Sequence, residues 1–208
     1  MSMSERPRVG VLSLQGDFAC HRASLEALGV EAVRVVLPEE LALCEALVMP
    51  GGESTTMTRL MERNGLRPSL ERFVREKPVL GTCAGVILLS RGADHLPAPP
   101  LRALDVVTER NAYGRQIDSF SAEIMAPPLD GPFHGVFIRA PRIREVGPSV
   151  EVVAWRGEEP VGVREGKIVG LCFHPELTSD LRFHRWFLTQ VAGFRLHAAD
   201  STVGAGGA

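Results

Sequence analysis

The stretch Lys77-Pro-Val-Leu-Gly-Thr-Cys-Ala-Gly-Val-Ile-Leu-Leu-Ser90 decides how this chain folds. Val79 and Leu80 form a short apolar run after a proline, as a buried parallel strand would. Val86 to Leu89 is a second apolar run, long enough for one turn of packed helix. Between them, Gly81-Thr82-Cys83-Ala84-Gly85 sets small residues on both sides of one cysteine. That is the Gly-x-nucleophile-x-Gly spacing of a strand-to-helix elbow, with sulfur in place of hydroxyl. The glycines are needed because the turn is sharp and neighbouring backbone must come close. A cysteine there sits at a helix N-terminus, where free N–H groups and the helix dipole favour thiolate. The N–H of Ala84 would point toward an oxyanion forming beside the sulfur. Taken alone, Cys83 reads equally as a buried structural thiol, since free cysteines are among the most buried residues. Its partners decide between the two.

Outward from the elbow, the N-terminal half alternates strand and helix. Arg8 to Leu14, Glu31 to Leu37 and Ala46 to Met49 read as strands; Asp17 reads as a helix N-cap, with Phe18, Leu25 and Leu28 on one side and Gly29 as the stop. Pro38 can open a short helix, and Thr55 to Arg63 and Ser69 to Glu76 supply more. These intervals fit a parallel sheet with helices on its faces. Ligands in such sheets collect beyond the carboxyl ends of the strands. The turns Gln15-Gly16 and Gly51-Gly52 and the Cys83 elbow all fall there. After Ser90 short strands follow at 103–108, 119–125, 133–138, 150–155, 161–164 and 167–173, as hairpins and an antiparallel extension. The last of these ends at His174-Pro175-Glu176, and Thr178 or Ser179 would cap a final helix carrying Leu181, Trp186, Phe187, Leu188 and Val191.

The 208 residues suit one domain over 1–196, with an Ala-Gly-Ser-Thr tail at 197–208 expected to be disordered. A net charge of -2 gives no electrostatic reason to expect nucleic acid or an anionic membrane as partner. No apolar run approaches the roughly 20 residues that span a bilayer. Cys20, Cys44, Cys83 and Cys172 stand far apart, without metal-ligand spacing, as reduced thiols of a cytoplasmic protein would.

Of six histidines, five read as ordinary surface or helix residues. His174 differs because it ends an apolar strand, and Pro175 biases it to an extended conformation. Glu176, two residues on, would then face the same way and hold the ring nitrogen turned from substrate. Cys83, His174 and Glu176 thus read as nucleophile, base and orienting acid. The glycine turn Pro50-Gly51-Gly52-Glu53-Ser54 suits the second oxyanion donor, with Ser54 also capping the following helix.

At this point the residues carry a resemblance. Gly-Thr-Cys-Ala-Gly at 81–85, Pro-Gly-Gly-Glu-Ser-Thr at 50–55 and Phe-His-Pro-Glu-Leu-Thr at 173–178 resemble a triad-type (class I) glutamine amidotransferase. Arg-Asn-Ala-Tyr-Gly-Arg-Gln at 110–116, Val-Phe-Ile-Arg-Ala-Pro at 136–141 and Leu-Gln-Gly at 14–16 narrow it to the glutaminase-subunit family of pyridoxal 5′-phosphate synthases. The match runs from about Arg8 to Phe194. It implies a flavodoxin-like, three-layer α/β domain, L-glutamine as substrate, no metal and no cofactor of this chain. It also implies glutamine contacts from Gly52, Glu53, Ser54, Arg110, Ile138 and Arg139. The partner implied is a synthase subunit that takes the ammonia and builds pyridoxal 5′-phosphate, the product of the assembly. Gln15, beside the Gly51-Gly52 turn, is a candidate for transmitting that partner's docking, with the free subunit a poor glutaminase. One departure stands out: the family usually has a glycine where this chain has Arg102 or Ala103. A cysteine hydrolase or peptidase on the same elbow, or a non-catalytic regulatory subunit, are the competing readings.

Overall fold

A run of strands with few or no exposed positions forms the middle of the molecule, and the reactive elements hang from their carboxyl ends. The computed structural model describes residues 6–16, 18–110, 112 and 119–196. In chain order the first half comprises β1 (Arg8–Leu12), α1 (Phe18–Ala27), β2 (Glu31–Val35), α2 (Pro38–Ala42), β3 (Ala46–Met49), α3 (Ser54–Arg63), α4 (Arg67–Glu76), β4 (Val79–Thr82) and α5 (Ala84–Leu89). The second half comprises β5 (Ser90–Ala93), β6 (Leu104–Glu109), β7 (Ser119–Ile124), β8 (Phe133–Ile138), β9 (Arg142–Val146), β10 (Glu151–Arg156), β11 (Glu159–Glu165), β12 (Ile168–Leu171) and α6 (Arg182–Trp186).

The main sheet has seven strands in the order β10-β11-β12-β4-β3-β1-β2. From β12 to β2 every neighbouring pair is parallel, while β10-β11-β12 is the antiparallel extension. The sheet is mixed and mainly parallel, flanked by helices, as the sequence predicts. Strands β3, β4 and β12 are buried at every position, which is why they read as continuous apolar runs. The helices bury one stripe each: Met57, Thr58 and Met61 of α3, and Leu70, Phe73 and Val74 of α4. Gly29, at φ 83, ends α1 as expected. The order of strands reverses between β1 and β3, so the loops after them part and leave a crevice.

Two smaller sheets complete the fold: β5-β6-β9 and the hairpin β7-β8. Strands β5 and β9 are absent from the sequence reading. Ser-Arg-Gly-Ala at 90–93 has no apolar alternation; it follows α5 directly and pairs parallel with β6. Arg-Ile-Arg-Glu-Val at 142–146 has only Ile143 buried. Among the boundaries that differ, three bear on the site and its surroundings. β1 stops at Leu12, where the Ser13 hydroxyl turns back to donate to the Val11 carbonyl. β12 stops at Leu171, and Pro175–Leu177 form a 3-10 turn in place of extended chain. The final helix begins at Arg182, not behind a Thr178 or Ser179 cap; Asp180 accepts from the Arg182 N–H at 3.0 Å and holds its guanidinium as well. The expected Asp17 cap, the 111 and 113–116 part of the Arg-Asn segment, and the 197–208 tail lie outside the described residues.

Arg102 explains the departure noted in the sequence. It is exposed at φ 54, in the left-handed region where glycine carries no penalty.

Candidate active site

The elbow is built from close backbone contacts. Cys83 joins β4 to α5 at φ 48 and ψ -105, a conformation that L residues rarely adopt. Gly81 and Gly85 are what permit it. A Cβ on Gly81 would lie 2.6 Å from a Leu89 methyl, and one on Gly85 would lie 2.1 Å from the Met49 carbonyl oxygen. Every residue of α5 is buried, so the helix is clamped and the cysteine is thrust out at the strand end. The Cys83 thiol points to the Ile138 carbonyl, 3.7 Å from sulfur to oxygen.

His174 arrives from the neighbouring strand. Its backbone N–H donates to Val136 O of β8 at 2.8 Å, so one edge of β8 holds both the histidine backbone and the thiol. Its Nδ1 lies 2.8 Å from Glu176 Oε1. The turn at 175–177, and not an extended i, i+2 pair, brings that carboxylate round. His174 and Glu176 are both buried. Burial works against the imidazolium, yet the Cys83 sulfur and the Glu176 carboxylate outweigh it and raise the His174 pKa to about 10. Burial likewise opposes the Glu176 charge, but His21 and His174 outweigh it and hold the carboxyl far below its ordinary range. The other ring nitrogen, Nε2, is buried without a hydrogen-bond partner among the described residues. It is the ring nitrogen that Glu176 does not engage.

These groups open into a cavity of about 400 Å³. Cys83, Ile87 and His174 line it, together with Ile138 and Arg139 from the end of β8. Gln15, Gly16 and the Gly51–Ser54 turn supply another side, with Arg110 beside them. Gly51 lies against the edge of the His174 imidazole: a Cβ there would stand 2.3 Å from His174 Cε1. Gly52, at φ 151, and Gly16, at φ 99, need the freedom of glycine. The Gly51 carbonyl fills the space a Gly16 side chain would take, and Gln15 Oε1 accepts from the Glu53 N–H at 2.6 Å. The Gln15-Gly16 loop therefore sets the conformation of the Gly51-Gly52 turn.

Glu53, and not Ser54, caps α3, accepting from Thr55 N and Thr56 N. A carboxylate fits this cap because it meets two free N–H groups at the positive end of the helix. Partial burial raises its pKa, but hydrogen bonds from Thr56 and Thr55 outweigh that and lower it. Arg110 reaches the cavity with its guanidinium on Glu53 Oε1 at 3.0 Å, Thr55 Oγ1 at 3.1 Å and His95 O at 2.9 Å. Arg139, at φ 42, is exposed. Its guanidinium has no ion-pair partner among the described residues. Ala84 opens α5 next to the sulfur.

All the residues expected at the site are thus brought to one cavity or its immediate wall. Two further residues escape the sequence reading. His21 and His184 are fully buried behind Glu176, where ordinary surface or helix positions were expected. His21, Leu25 and Leu28 are spaced i, i+4, i+7, as are His184, Leu188 and Val191, and that spacing was the available signal. Among the described residues no group of three or more His, Cys, Asp or Glu is arranged to hold a metal ion.

A cysteine on a strained strand-to-helix elbow, with a buried histidine-carboxylate pair against it, defines a thiol-dependent acyl-transfer centre on a mixed α/β sheet. The family model for the SNO glutamine amidotransferase family matches residues 11–193. The chain belongs to that family. It is 48% identical over 186 residues to the pyridoxal 5′-phosphate synthase subunit PdxT of Thermotoga neapolitana, covering 88% of this chain and 99% of that one. It is 50% identical to the same subunit of Thermus thermophilus over 188 residues, 89% and 97% of the two chains. A solved glutamine amidotransferase superposes with a TM-score of 0.84 at 46% identity, over 89% of this chain and 99% of that one. PurLQS of Thermotoga maritima, at 16% identity and a TM-score of 0.69, shares the fold alone.

Proposed function

We propose that this chain is the glutaminase subunit of a pyridoxal 5′-phosphate synthase, hydrolysing L-glutamine to L-glutamate and ammonia at Cys83. The observation that carries the reading is the Cys83 elbow in one cavity with His174, which Glu176 holds from behind, and with Arg110 and Arg139 in the wall. The Cys83 thiolate attacks the side-chain amide carbon of glutamine. N–H groups of Ala84 and of Gly51 or Gly52 hold the developing oxyanion, a contribution of roughly 3–4 kcal/mol per donor in comparable sites. His174 Nε2 gives its proton to departing ammonia and then draws one from the water that hydrolyses the γ-glutamyl thioester. Glu176 fixes the imidazole by its Nδ1–H and steadies its positive form.

Arg139 is the group free to take the substrate α-carboxylate as a planar fork, and Glu53 offers a carboxylate to the α-ammonium. Gly52, Ser54 and the Ile138 backbone complete the glutamine contacts, with Arg110 braced on Glu53. Ammonia released to bulk water would become ammonium, so the reading includes a synthase subunit that receives it. Gln15 is the residue through which docking acts: it grips the Glu53 N–H, and its loop presses on the Gly51 carbonyl. A partner that moves this loop moves the oxyanion turn. Four free thiols agree with a cytoplasmic setting. A peptidase on the same elbow would have no use for the Glu53–Arg110 and Arg139 wall.

Glutamate release by wild type and Cys83→Ala, each with and without the synthase subunit, tests this. Release is expected from wild type only, and to rise on adding the partner. Cleavage of peptides or esters in preference to glutamine would overturn it.

A further inference from the structure

Glu176 has a second neighbour on the side away from His174. Its Oε2 lies 3.2 Å from His21 Nε2, and both side chains are completely shut off from solvent. The same Nε2 is 3.1 Å from Thr82 Oγ1, and His21 Nδ1 is 3.0 Å from Nε2 of His184. His21 comes from α1, Thr82 from the strand leading into the nucleophile, and His184 from α6. Three elements thus converge behind the triad carboxylate. The titratable groups facing His21 are Glu176 from the 175–177 turn and His184 from α6.

Counting protons decides how this chain of rings is wired. If His21 carried its proton only on Nδ1, a bare lone pair on Nε2 would face a carboxylate oxygen in a dry interior. His184 would then have to accept at Nε2 and hold its proton on Nδ1, which is buried with no partner. His184 Nδ1 is without a partner in every arrangement, as donor or as acceptor, so it does not choose between them and the choice rests on the carboxylate that faces His21. The neutral arrangement that turns an N–H toward that carboxylate puts the protons on Nε2 of both rings: His184 donates to His21, and His21 donates forward. Burial, the largest cause, pushes the His184 pKa down to about 3, which keeps that ring neutral. The hydrogen bond of His21 Nε2 goes to Thr82 Oγ1, while Glu176 Oε2 stands 3.2 Å from the same nitrogen and has no hydrogen-bond partner of its own among the described residues. His21 Nε2–H is thus the donor within reach of Oε2.

We propose that His21, oriented by His184, is a positioning residue for the glutaminase reaction, its Nε2–H holding the outer oxygen of Glu176 so that the inner oxygen stays ionised and aimed at His174 Nδ1. This rests on the glutaminase reading above. Removing the donor weakens the hold on Glu176, raises the pH at which it takes a proton, and leaves the His174 tautomer unguided.

The test compares wild type, His21→Leu and His21→Gln, each assembled with the synthase subunit, for glutamate release across a range of pH. His21→Leu is expected to lose about ten- to a hundredfold in kcat, the loss of one hydrogen bond to a charged group. Its KM for glutamine should change little, and the acid limb of its kcat profile should move to higher pH. His21→Gln, which can present an N–H near the Nε2 position, should recover most of the rate. Equal losses in both variants with an unmoved pH profile, or full activity of His21→Leu, would overturn the proposal. Nitrogen NMR of the wild-type histidine side chains supplies a readout that needs no turnover: His21 should be neutral with its proton on Nε2. A proton on Nδ1, or a charged ring, refutes the wiring even in an active enzyme. The expected tautomer in a wild-type complex that releases no glutamate would instead count against the glutaminase reading.

Discussion

Adding one methyl group at Gly51 tests whether the catalytic imidazole is held where the reaction needs it. A Cβ there would lie 2.3 Å from His174 Cε1, 3.1 Å from Nδ1 and 3.2 Å from Nε2. Ordinary contact begins near 3.4 Å, so the ring must retreat by roughly 1 Å. It has little room to do so, because it is buried and tied to Glu176 by a 2.8 Å hydrogen bond. A misplacement of about 1 Å in a catalytic group costs on the order of a hundredfold in rate. Gly51→Ala should therefore lower kcat for glutamate release by about that factor. Overpacking of this kind costs about 1–3 kcal/mol of stability, so a folded protein with a lowered Tm is expected. The backbone itself is not the obstacle, since Gly51 does not share the positive φ of Gly16 and Gly52. The assay is glutamate release in the presence of the synthase subunit, with thermal unfolding alongside. Activity within about threefold of wild type would mean the ring moves freely by 1 Å, and the argument from fixed geometry would fail.

Glu176→Gln should leave glutamine binding nearly intact while lowering kcat, because the amide can hold His174 Nδ1 in the wrong tautomer. The raised pKa of His174 makes its stabilising contribution complete below the unfolded value near 6.5 and lost as pH rises toward about 10. Denaturant titrations should show wild-type stability falling across that window and a flatter profile in Glu176→Gln. Cys83→Gly relieves the strained φ of 48 and should match or exceed wild-type stability, by up to about 1–3 kcal/mol, while abolishing activity; a large loss of stability would show that the elbow carries no strain. Arg102→Gly should be neutral to stabilising by about 1 kcal/mol with unchanged activity, because φ 54 disfavours a side chain there; a lower Tm would refute this.

The parallel half of the fold was legible because each buried strand carries its own signal: Ala46–Met49 and Val79–Thr82 have no exposed residue to obscure them. The elbow was legible because its chemistry demands small residues at fixed spacing. Strands β5 and β9 were not, since Ser90–Ala93 and Arg142–Val146 are set by pairing with β6 and not by local pattern. Glu53 in place of Ser54 as the α3 cap shows the same limit. Both types suit a cap, and the choice follows from where the Gly51-Gly52 turn delivers the chain. His21 and His184 were hidden for a further reason: a buried histidine is recognised by its partners, and theirs are distant in sequence.

The pairing of His174 with Glu176 is instructive because the expected contact arises by another route. An extended strand, which a proline at 175 favours for His174, would put the two side chains on one face. Instead Pro175 opens a 3-10 turn, a position where its missing N–H costs nothing. The turn swings Glu176 beneath the ring and also turns its second oxygen toward α1. An extended chain would have satisfied only the first contact. The tighter backbone thus lets one carboxylate meet the His174 imidazole and the buried ring of His21 together. The triad is in this way anchored to the core of the sheet as well as to the loops of the cavity.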